Sequence, residues 1–192
     1  MREYLLCDDC EQKLSVWEGY ARTIFVQPLT PLEIRRENSM LHVAGLDYAK
    51  LKLFELSILW RAGVSRLPFF AKCQLGPHAE TLRRQLDASD PGDSDRYGAL
   101  MYGLKVGELS ETLQVITEPR PVRGFGIKAY NLTFGGFLWM YFVSNSDPPL
   151  LARQAFLRED GSRFICVKNA LEMSNLQQFA NELGRLGRLP RR

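Results

Sequence analysis

Residues 48–63, with the sequence YAKLKLFELSILWRAG, decide how this chain folds. Apolar side chains occupy most of the circumference of the helix that this stretch predicts, so the helix should run through the core. Asp47 precedes it as a candidate N-cap. Lys52, Glu55 and Arg61 interrupt the apolar pattern, and a buried charge must be paired or must reach the surface. We expect a structural polar network with one internal pair, Glu55 with Arg61, and long side chains that reach water; the alternative is a polar network that lines a site.

A second helix should precede this central one. It begins near Asp8 or Asp9, whose carboxylates favour a helix N-terminus, and it ends before Pro28. Its apolar residues recur at helical spacing, namely Leu14, Trp17, Tyr20, Ala21, Ile24 and Phe25.

Shorter elements surround the central helix. Residues 32–46 alternate loosely in polarity and predict a hairpin that turns at 37–39. After the central helix, Pro77 suits the first turn of a short helix. The polar stretch 87–95 predicts an exposed loop.

The second half of the chain changes from helical to alternating patterns, with turn signals between its apolar runs. Six strands are predicted, at 99–106, 111–118, 127–134, 137–144, 151–157 and 163–168. A last amphipathic helix is capped by Ser174, and its apolar face consists of Leu176, Phe179, Ala180, Leu183 and Leu186. Because short connections favour antiparallel pairing, the fold class is α+β: N-terminal helices packed on an antiparallel sheet of about five to six strands, with a closing C-terminal helix.

Length and composition indicate one domain. The 192 residues are 45% hydrophobic and 24% charged, as in ordinary soluble globular proteins. We assign 1–187 to a single α+β domain and 188–192 to a basic tail. No signal peptide is evident, and apolar runs such as 137–143 are too short to span a bilayer, so we expect a cytoplasmic protein outside the membrane. The net charge of +3 permits contact with nucleic acid without demanding it.

The four cysteines do not form the pattern of a secreted disulfide framework. Cys7 and Cys10 make a CxxC pair, and two such thiolates supply one edge of a tetrahedral structural zinc site. The other edge is missing, since no second CxxC exists and neither His42 nor His78 lies in a ligand pattern. The pair therefore predicts half of a zinc site. The other two cysteines lie among apolar residues and should be buried thiols.

The flanks of the CxxC extend this pattern into a family resemblance. Residues 5–13, LLCDDCEQK, followed by a helix, resemble the last third of an HNH endonuclease motif. In that family a first CxxC precedes a β-hairpin with the catalytic His, a second CxxC begins the helix, and a metal-binding His usually follows the last Cys. Glu11 stands where that His would be, so the resemblance makes it the candidate catalytic and divalent-metal residue. The alternative is an acid placed to favour the helix dipole.

Further segments, at 52–62, 75–80 and 134–137, resemble a poorly characterised bacterial HNH-endonuclease-like family, and the resemblance covers roughly 4–183. It implies a nucleic-acid-associated protein with structural zinc, a divalent metal and a DNA or RNA partner, linked to bacterial mobile elements or phage defence. Residues 1–30 would then be the remnant of a zinc-binding, HNH-like region plus a helix. Full-length members carry an upstream CxxC and a Ser-His-x-Ile-Pro stretch that are not present here. We therefore expect this chain to be inactive alone and to act as an HNH-type endonuclease only with that part supplied.

Basic and aromatic residues of the strand region offer further candidates. Arg120, Arg123 and Lys128 surround the sequence Gly-Phe-Gly at 124–126 and are candidate phosphate contacts, although a solvated basic loop is the commoner role of such residues. Alternation in 137–142 places Phe, Trp and Tyr on one face and Leu, Met and Phe on the other, so most of these side chains should be core.

Two other functions fit the same residues. The chain is alternatively a non-catalytic interaction or regulatory module, such as an effector, inhibitor or subunit, whose CxxC is completed by a partner chain or a homodimer. A third hypothesis is redox chemistry at Cys7 and Cys10, because a helix N-terminus lowers a thiol pKa. The thioredoxin-like βαβ pattern that usually accompanies such chemistry is missing from the sequence.

Overall fold

The computed structural model describes residues 3, 5–27, 29–106, 109–112 and 116–169. Four α-helices, one short 3₁₀-helix and eight strands occupy these ranges. In chain order they are α1 (Asp8–Phe25), β1 (Glu33–Glu37), β2 (Met40–Ala44), α2 (Tyr48–Val64), the 3₁₀-helix (Pro68–Phe70), α3 (His78–Ala88), β3 (Ala99–Val106), β4 (Leu109–Thr112), β5 (Thr117–Gly124), β6 (Ile127–Phe134), β7 (Phe137–Phe142), α4 (Leu150–Arg153) and β8 (Arg163–Asn169).

The strands form one mixed sheet. Their order is β1-β2-β8-β3-β7-β6-β5, with β4 paired to the free part of β3. Neighbouring strands are antiparallel except β3 and β8, which run parallel. The α+β class is therefore confirmed. The sheet has more strands than the five to six predicted, because the β1–β2 hairpin joins it through β8.

The predicted N-terminal and central helices are confirmed. Asp47 caps α2, since its Oδ1 accepts a hydrogen bond of 3.0 Å from the backbone N–H of Lys50. The amphipathic helix α1 turns Leu14, Trp17 and Ala21 into the core. The short helix α3 also begins where predicted, directly after Pro77.

Hydrophobic residues are buried on both faces of the sheet. The larger core lies between the sheet and helices α1, α2 and α3, and it includes Leu56 and Leu59 of α2 and Trp139 of β7. A smaller core on the other face joins Phe142 of β7 to Phe156, which follows α4. The prediction that alternate side chains of 137–142 fill two opposite cores is confirmed.

A glycine permits the close approach between the hairpin and the last strand. Gly161 has φ +77°, and a Cβ at this position would lie 2.2 Å from the carbonyl oxygen of Leu46. The backbone N–H of Leu46 donates to the carbonyl of Gly161 at 3.0 Å. Only glycine combines this backbone conformation with such contact, so the turn before β8 packs on the connection that leads into α2.

The predictions of two strands, at 151–157 and 111–118, were wrong. Residues 151–157 form the helix α4 and the turn after it, because the preceding prolines restrict the backbone and Ala152 and Phe156 are buried at helical spacing. The strand predicted at 111–118 is replaced by the end of β4 and the beginning of β5. The closing helix from Ser174, and with it the end of the domain and the tail at 188–192, lies outside the described residues.

The charges of α2 form pairs that the sequence did not indicate. Glu55 accepts a hydrogen bond of 2.5 Å from the Nη1 of Arg163 in β8, and each of these side chains is only 1% exposed. Arg61 instead pairs with Glu18 of α1 at 2.7 Å. The predicted internal pair of Glu55 with Arg61 was therefore wrong, because both partners come from other elements of the fold.

Lys52 contradicts the prediction that long side chains of α2 reach water. It is 1% exposed, and its Nζ donates to the carbonyls of Arg96 at 2.8 Å and of Tyr97 at 3.3 Å. Burial lowers the pKa of Lys52 to about 8. The ammonium thus fixes the backbone just before β3, where Tyr97 adopts a left-handed conformation with φ +50°.

We predict that Glu55→Gln lowers the free energy of unfolding by about 3–5 kcal/mol, because it leaves the Arg163 guanidinium buried without a counter-charge. Urea unfolding followed by circular dichroism measures the change. The double variant Glu55→Leu/Arg163→Met should be more stable than the single variant, since neither charge of this pair then stays buried without its partner. Glu80→Gln breaks an exposed pair with Arg83 on α3 and should leave the urea midpoint nearly unchanged. An equal loss in both single variants would contradict the prediction.

Candidate functional site

The CxxC pair lies at the beginning of α1. Cys7 is the N-cap residue, with extended backbone angles of φ −83° and ψ 166°, and its carbonyl accepts the first helical hydrogen bond from the N–H of Glu11 at 2.9 Å. Cys10 follows one turn later. The Cys7 thiol is exposed and the Cys10 thiol is partly buried, and both are free. The helix thus presents the two thiols together at the surface.

A cleft of about 230 Å³ opens beside these thiols. It is lined by Leu5, Leu6, Cys7, Cys10, Lys13, Leu14, Trp60, Arg83, Leu86 and Asp87. Lys13 donates to the backbone carbonyl of Asp87 at 3.0 Å, and Arg83 contacts the Asp87 carboxylate at 3.2 Å. The cleft is therefore apolar at its walls, with two thiols on one side and cations beside a carboxylate on the other.

Hydrogen bonding makes the two thiols unequal. The backbone N–H and the thiol of Cys10 both donate to the sulfur of Cys7, and these bonds lower the pKa of Cys7. The pKa of Cys10 is raised, chiefly because its thiol is the donor in this bond and also because it is partly desolvated beside Cys7. Cys7 is thus the thiol that ionises first.

These residues fit half of a tetrahedral zinc site. Two thiolates at i and i+3 on a helix terminus supply two ligands. No group of three or more His, Cys, Asp or Glu with metal-binding geometry occurs within the described ranges. The other candidate ligands lie elsewhere in the fold. Cys73 is buried in the core, and the ring of His42 packs against that of Phe164 with a centroid distance of 4.8 Å.

Glu11 does not share the cleft with the two thiols. It lies on an exposed face of the first turn of α1, whereas the cleft is lined by the face that carries Cys10 and Leu14. The acidic first turn of α1 also includes Asp8 and Asp9. This position agrees with the helix-dipole role of Glu11, and its role in catalysis or metal binding stays a prediction.

Two of the three predicted phosphate contacts lie together. Arg123 of β5 and Lys128 of β6 are directly opposite each other across the β5–β6 hairpin. A groove of about 430 Å³ runs beside them, lined by Pro121, Val122, Arg123 and Lys128. The Arg123 guanidinium donates to the carbonyl of Gly126 at 3.1 Å, and Lys128 donates to the carbonyl of Gln74 at 3.0 Å. Both cations therefore bond to neutral oxygens.

Arg120 belongs to a different surface. It lies three positions before Arg123 in β5, so the alternation of side chains places it on the opposite face of the sheet. It is partly buried and lies 3.7 Å from Glu118, another residue of β5. The structure therefore separates Arg120 from the other two basic residues.

The turn of this hairpin carries an aromatic residue that the sequence analysis did not single out. Phe125 is 56% exposed and has φ +52°, and its ring stacks partly on Phe142 at a centroid distance of 6.4 Å. In the chain it lies between Arg123 and Lys128, but its ring leans toward the face of the sheet that carries Phe142, opposite to the face of Lys128 and Tyr130. We call Arg123, Phe125 and Lys128 the hairpin tip.

The sequence also did not indicate a polar cluster formed by His78, Tyr97 and Lys52. His78, at the start of α3, has its Nδ1 3.0 Å from the hydroxyl of Tyr97, and burial lowers the pKa of this imidazole. Tyr97 is held by the Lys52 contact described above. No sequence signal could join these three residues, because their contact depends on how α2, α3 and the start of β3 pack.

Comparisons of the chain with protein-family models, with curated proteins and with solved structures found no match. The HNH-endonuclease-like resemblance therefore stays a prediction. Within the described ranges, every helix is too short or too polar to cross a bilayer.

We predict that Cys7 is alkylated by iodoacetamide at lower pH than Cys10, because the hydrogen bonds from Cys10 stabilise its thiolate. Mass spectrometry of peptides, over a pH series, measures the rate at each thiol. Cys10→Ala removes the thiol donor and should shift the Cys7 profile to higher pH. Cys73, whose pKa burial raises to about 11, is the slow internal reference. Identical profiles for Cys7 and Cys10 would contradict the prediction.

Proposed function

We propose that this chain is a nucleic-acid-binding protein that uses the hairpin tip, and that it is the body of an HNH-like nuclease family whose CxxC is one half of a structural zinc site. The observation that carries the first part is a pair of unneutralised cations, Arg123 and Lys128, on one hairpin whose turn also exposes the ring of Phe125. Its setting in bacterial mobile elements or phage defence rests on the family resemblance, and its cytoplasmic location rests on the sequence patterns described above.

Charge and exposure support contact with phosphate. Within the described residues, Arg123 and Lys128 make no ion pair, and their hydrogen bonds go to backbone carbonyls. Their charges thus remain available to the negative oxygens of a nucleic-acid backbone. Because the two residues are cross-strand partners, a single strand that passes over the hairpin would meet both cations.

The aromatic residue favours a single-stranded or unpaired ligand. A ring that is more than half exposed at a turn is accessible to the face of an unstacked base, whereas bases within a duplex keep their faces covered. The ring leans on Phe142, and the cations lie on the opposite face of the sheet, so a strand that crosses the turn would meet the ring with a base and the cations with its phosphates. The hairpin tip therefore combines the two contacts that proteins use for single-stranded nucleic acid.

Cleavage would require groups beyond this set. In a metal-assisted hydrolysis a base activates water and a metal ion stabilises the leaving oxygen. Neither His42 nor His78 shares a surface with the CxxC cleft: one packs against Phe164 and the other contacts Tyr97. We therefore propose binding, without phosphodiesterase activity, as the function of this chain alone.

We predict that the full chain binds a fluorescent single-stranded 20-mer and that Phe125→Ala weakens binding about tenfold or more, because a base loses its stacking partner. Arg123→Ala and Lys128→Ala should each lower the slope of log K against log salt concentration by about 0.7, the value expected for one lost contact to a single strand. Fluorescence anisotropy over a salt series, with DNA and RNA in parallel, gives both quantities.

Arg84→Ala is the matched control for these substitutions. Arg84 is an exposed arginine on α3 that pairs with Glu80 at 3.4 Å, and it does not line the groove beside Arg123 and Lys128. This variant should keep the affinity and salt slope of the parent chain. If Phe125→Ala and Arg123→Ala bind as well as Arg84→Ala, the hairpin tip is not the binding surface and the proposal fails.

The second candidate function is a protein-interaction or regulatory module. The observation that favours it is the presence of two free thiols, one exposed and one partly buried, in an apolar cleft that holds only half of a zinc coordination sphere among the described residues. A partner chain or a second copy would bring the remaining ligands. Zinc would then be a structural link between polypeptides, and Cys7, the more acidic thiol, would be its first ligand.

We predict 0.5 equivalents of zinc per chain in protein purified without chelator, because two Cys7–Cys10 pairs complete one tetrahedral site (roughly four ligands per ion). Elemental mass spectrometry measures the metal, and Cys10→Ser should remove it. Cys73→Ser is the control, since its thiol is buried away from the cleft. One equivalent per chain, or zinc retained by Cys10→Ser, would exclude a shared CxxC site.

A further inference from the structure

The strand β1 forms one edge of the sheet, and its free side faces solvent. Within the described part of the chain, β1 pairs only with β2. All five of its residues are exposed, and Ile34 retains 60% of its accessible surface. In an antiparallel pair alternate residues direct their N–H and C=O groups away from the partner, so this edge presents unpaired backbone groups.

The side chains of β1 form a mixed-charge pattern, Glu-Ile-Arg-Arg-Glu at 33–37. Alternation places Glu33 and Arg35 on one face, where their charged atoms lie 3.8 Å apart. Ile34 lies on the other face. Charges on an edge strand often prevent pairing with other chains. A strand that carries both positive and negative side chains can nevertheless pair with a strand of complementary charge pattern.

A second copy of β1 is that partner. When two identical edges pair antiparallel about a two-fold axis, residues directly opposite each other lie on the same face of the joined sheet. In one register Ile34 lies opposite Ile34 of the second copy. Glu33 then lies opposite Arg35 of the second copy, and Arg35 opposite its Glu33. The contact gains two pairs of opposite charge on one face and an apolar pair on the other.

Other registers are electrostatically worse. A shift that places Ile34 opposite Arg36 also sets Arg35 against Arg35 and Glu33 against Glu37. A further shift sets Arg36 against Arg36 and leaves Ile34 opposite Asn38. Like charges directly opposite each other destabilise strand pairing, so the sequence of β1 selects the register centred on Ile34.

We propose that the β1 edge is a homodimerisation surface, at which two copies of this chain join their eight-stranded sheets antiparallel about Ile34. The proposal concerns a different surface from the hairpin tip and the CxxC, and it holds whether or not those bind their ligands. A single strand pair buries less area than the roughly 1,200 Å² of a standard interface. The dimer is therefore a weak one that forms at micromolar concentrations or above.

Sedimentation equilibrium of the full chain in EDTA, from about 1 to 500 μM, tests the proposal. We expect a reversible monomer–dimer equilibrium. Glu33→Arg and Arg35→Glu should each weaken it about tenfold, because both symmetric charge pairs become repulsive. A mixture of the two single variants should form a heterodimer as tight as the parent dimer, since each arginine then meets a glutamate.

The matched control is Arg84→Glu, which makes the same charge change as Arg35→Glu at an exposed position of α3. It should dimerise like the parent chain. Ile34→Pro removes a backbone donor from the edge and should give a monomer with unchanged circular dichroism. A parent chain that stays monomeric to the highest concentration overturns the proposal. A dimer that dissociates in EDTA also overturns it, because such a dimer would be held by metal at the CxxC. A dimer whose stability Glu33→Arg leaves unchanged overturns it as well.

Discussion

The buried ion pair between Glu55 and Arg163 is the interaction on which the rest of the fold depends. The two residues are 108 positions apart in the sequence, and they join the central helix to the last described strand. Arg163 also donates to the carbonyl of Ala99 in β3 at 3.2 Å, and its guanidinium lies 5.3 Å from the centre of the Trp139 ring. Two desolvated charges tolerate few alternative positions, so this pair fixes where β8 enters the sheet.

The position of β8 decides the architecture. This strand pairs antiparallel with β2 on one side and parallel with β3 on the other, so it joins an N-terminal hairpin to a C-terminal meander. Lys52, one turn before Glu55, holds the carbonyls that precede β3. The charges of α2 thus position both of the strands that meet at the centre of the sheet, while its apolar residues fill the core.

The candidate functional surfaces lie at the periphery of this rigid centre. The CxxC is at the N-terminus of α1, the hairpin tip is at the turn between β5 and β6, and the β1 strand is at the other end of the sheet order from β5. Each includes exposed side chains, and none contributes to the Glu55–Arg163 contact. Substitutions in these surfaces can therefore change binding without disturbing the core, which makes the three proposed functions separable by experiment.

By itself the sequence determined the helices α1, α2 and α3, the β1–β2 hairpin, most of the meander and the α+β class, because hydrophobic periodicity, caps and turn residues act over a few positions. It also located the CxxC, Arg123 and Lys128. Only the tertiary structure decided the partners of Glu55, Lys52 and Arg61, the helical state of residues 150–153, the separation of Arg120 from Arg123, and the exposure of Phe125. These features depend on which distant elements meet, and a buried charge or a short apolar run specifies that it needs a partner without specifying which one.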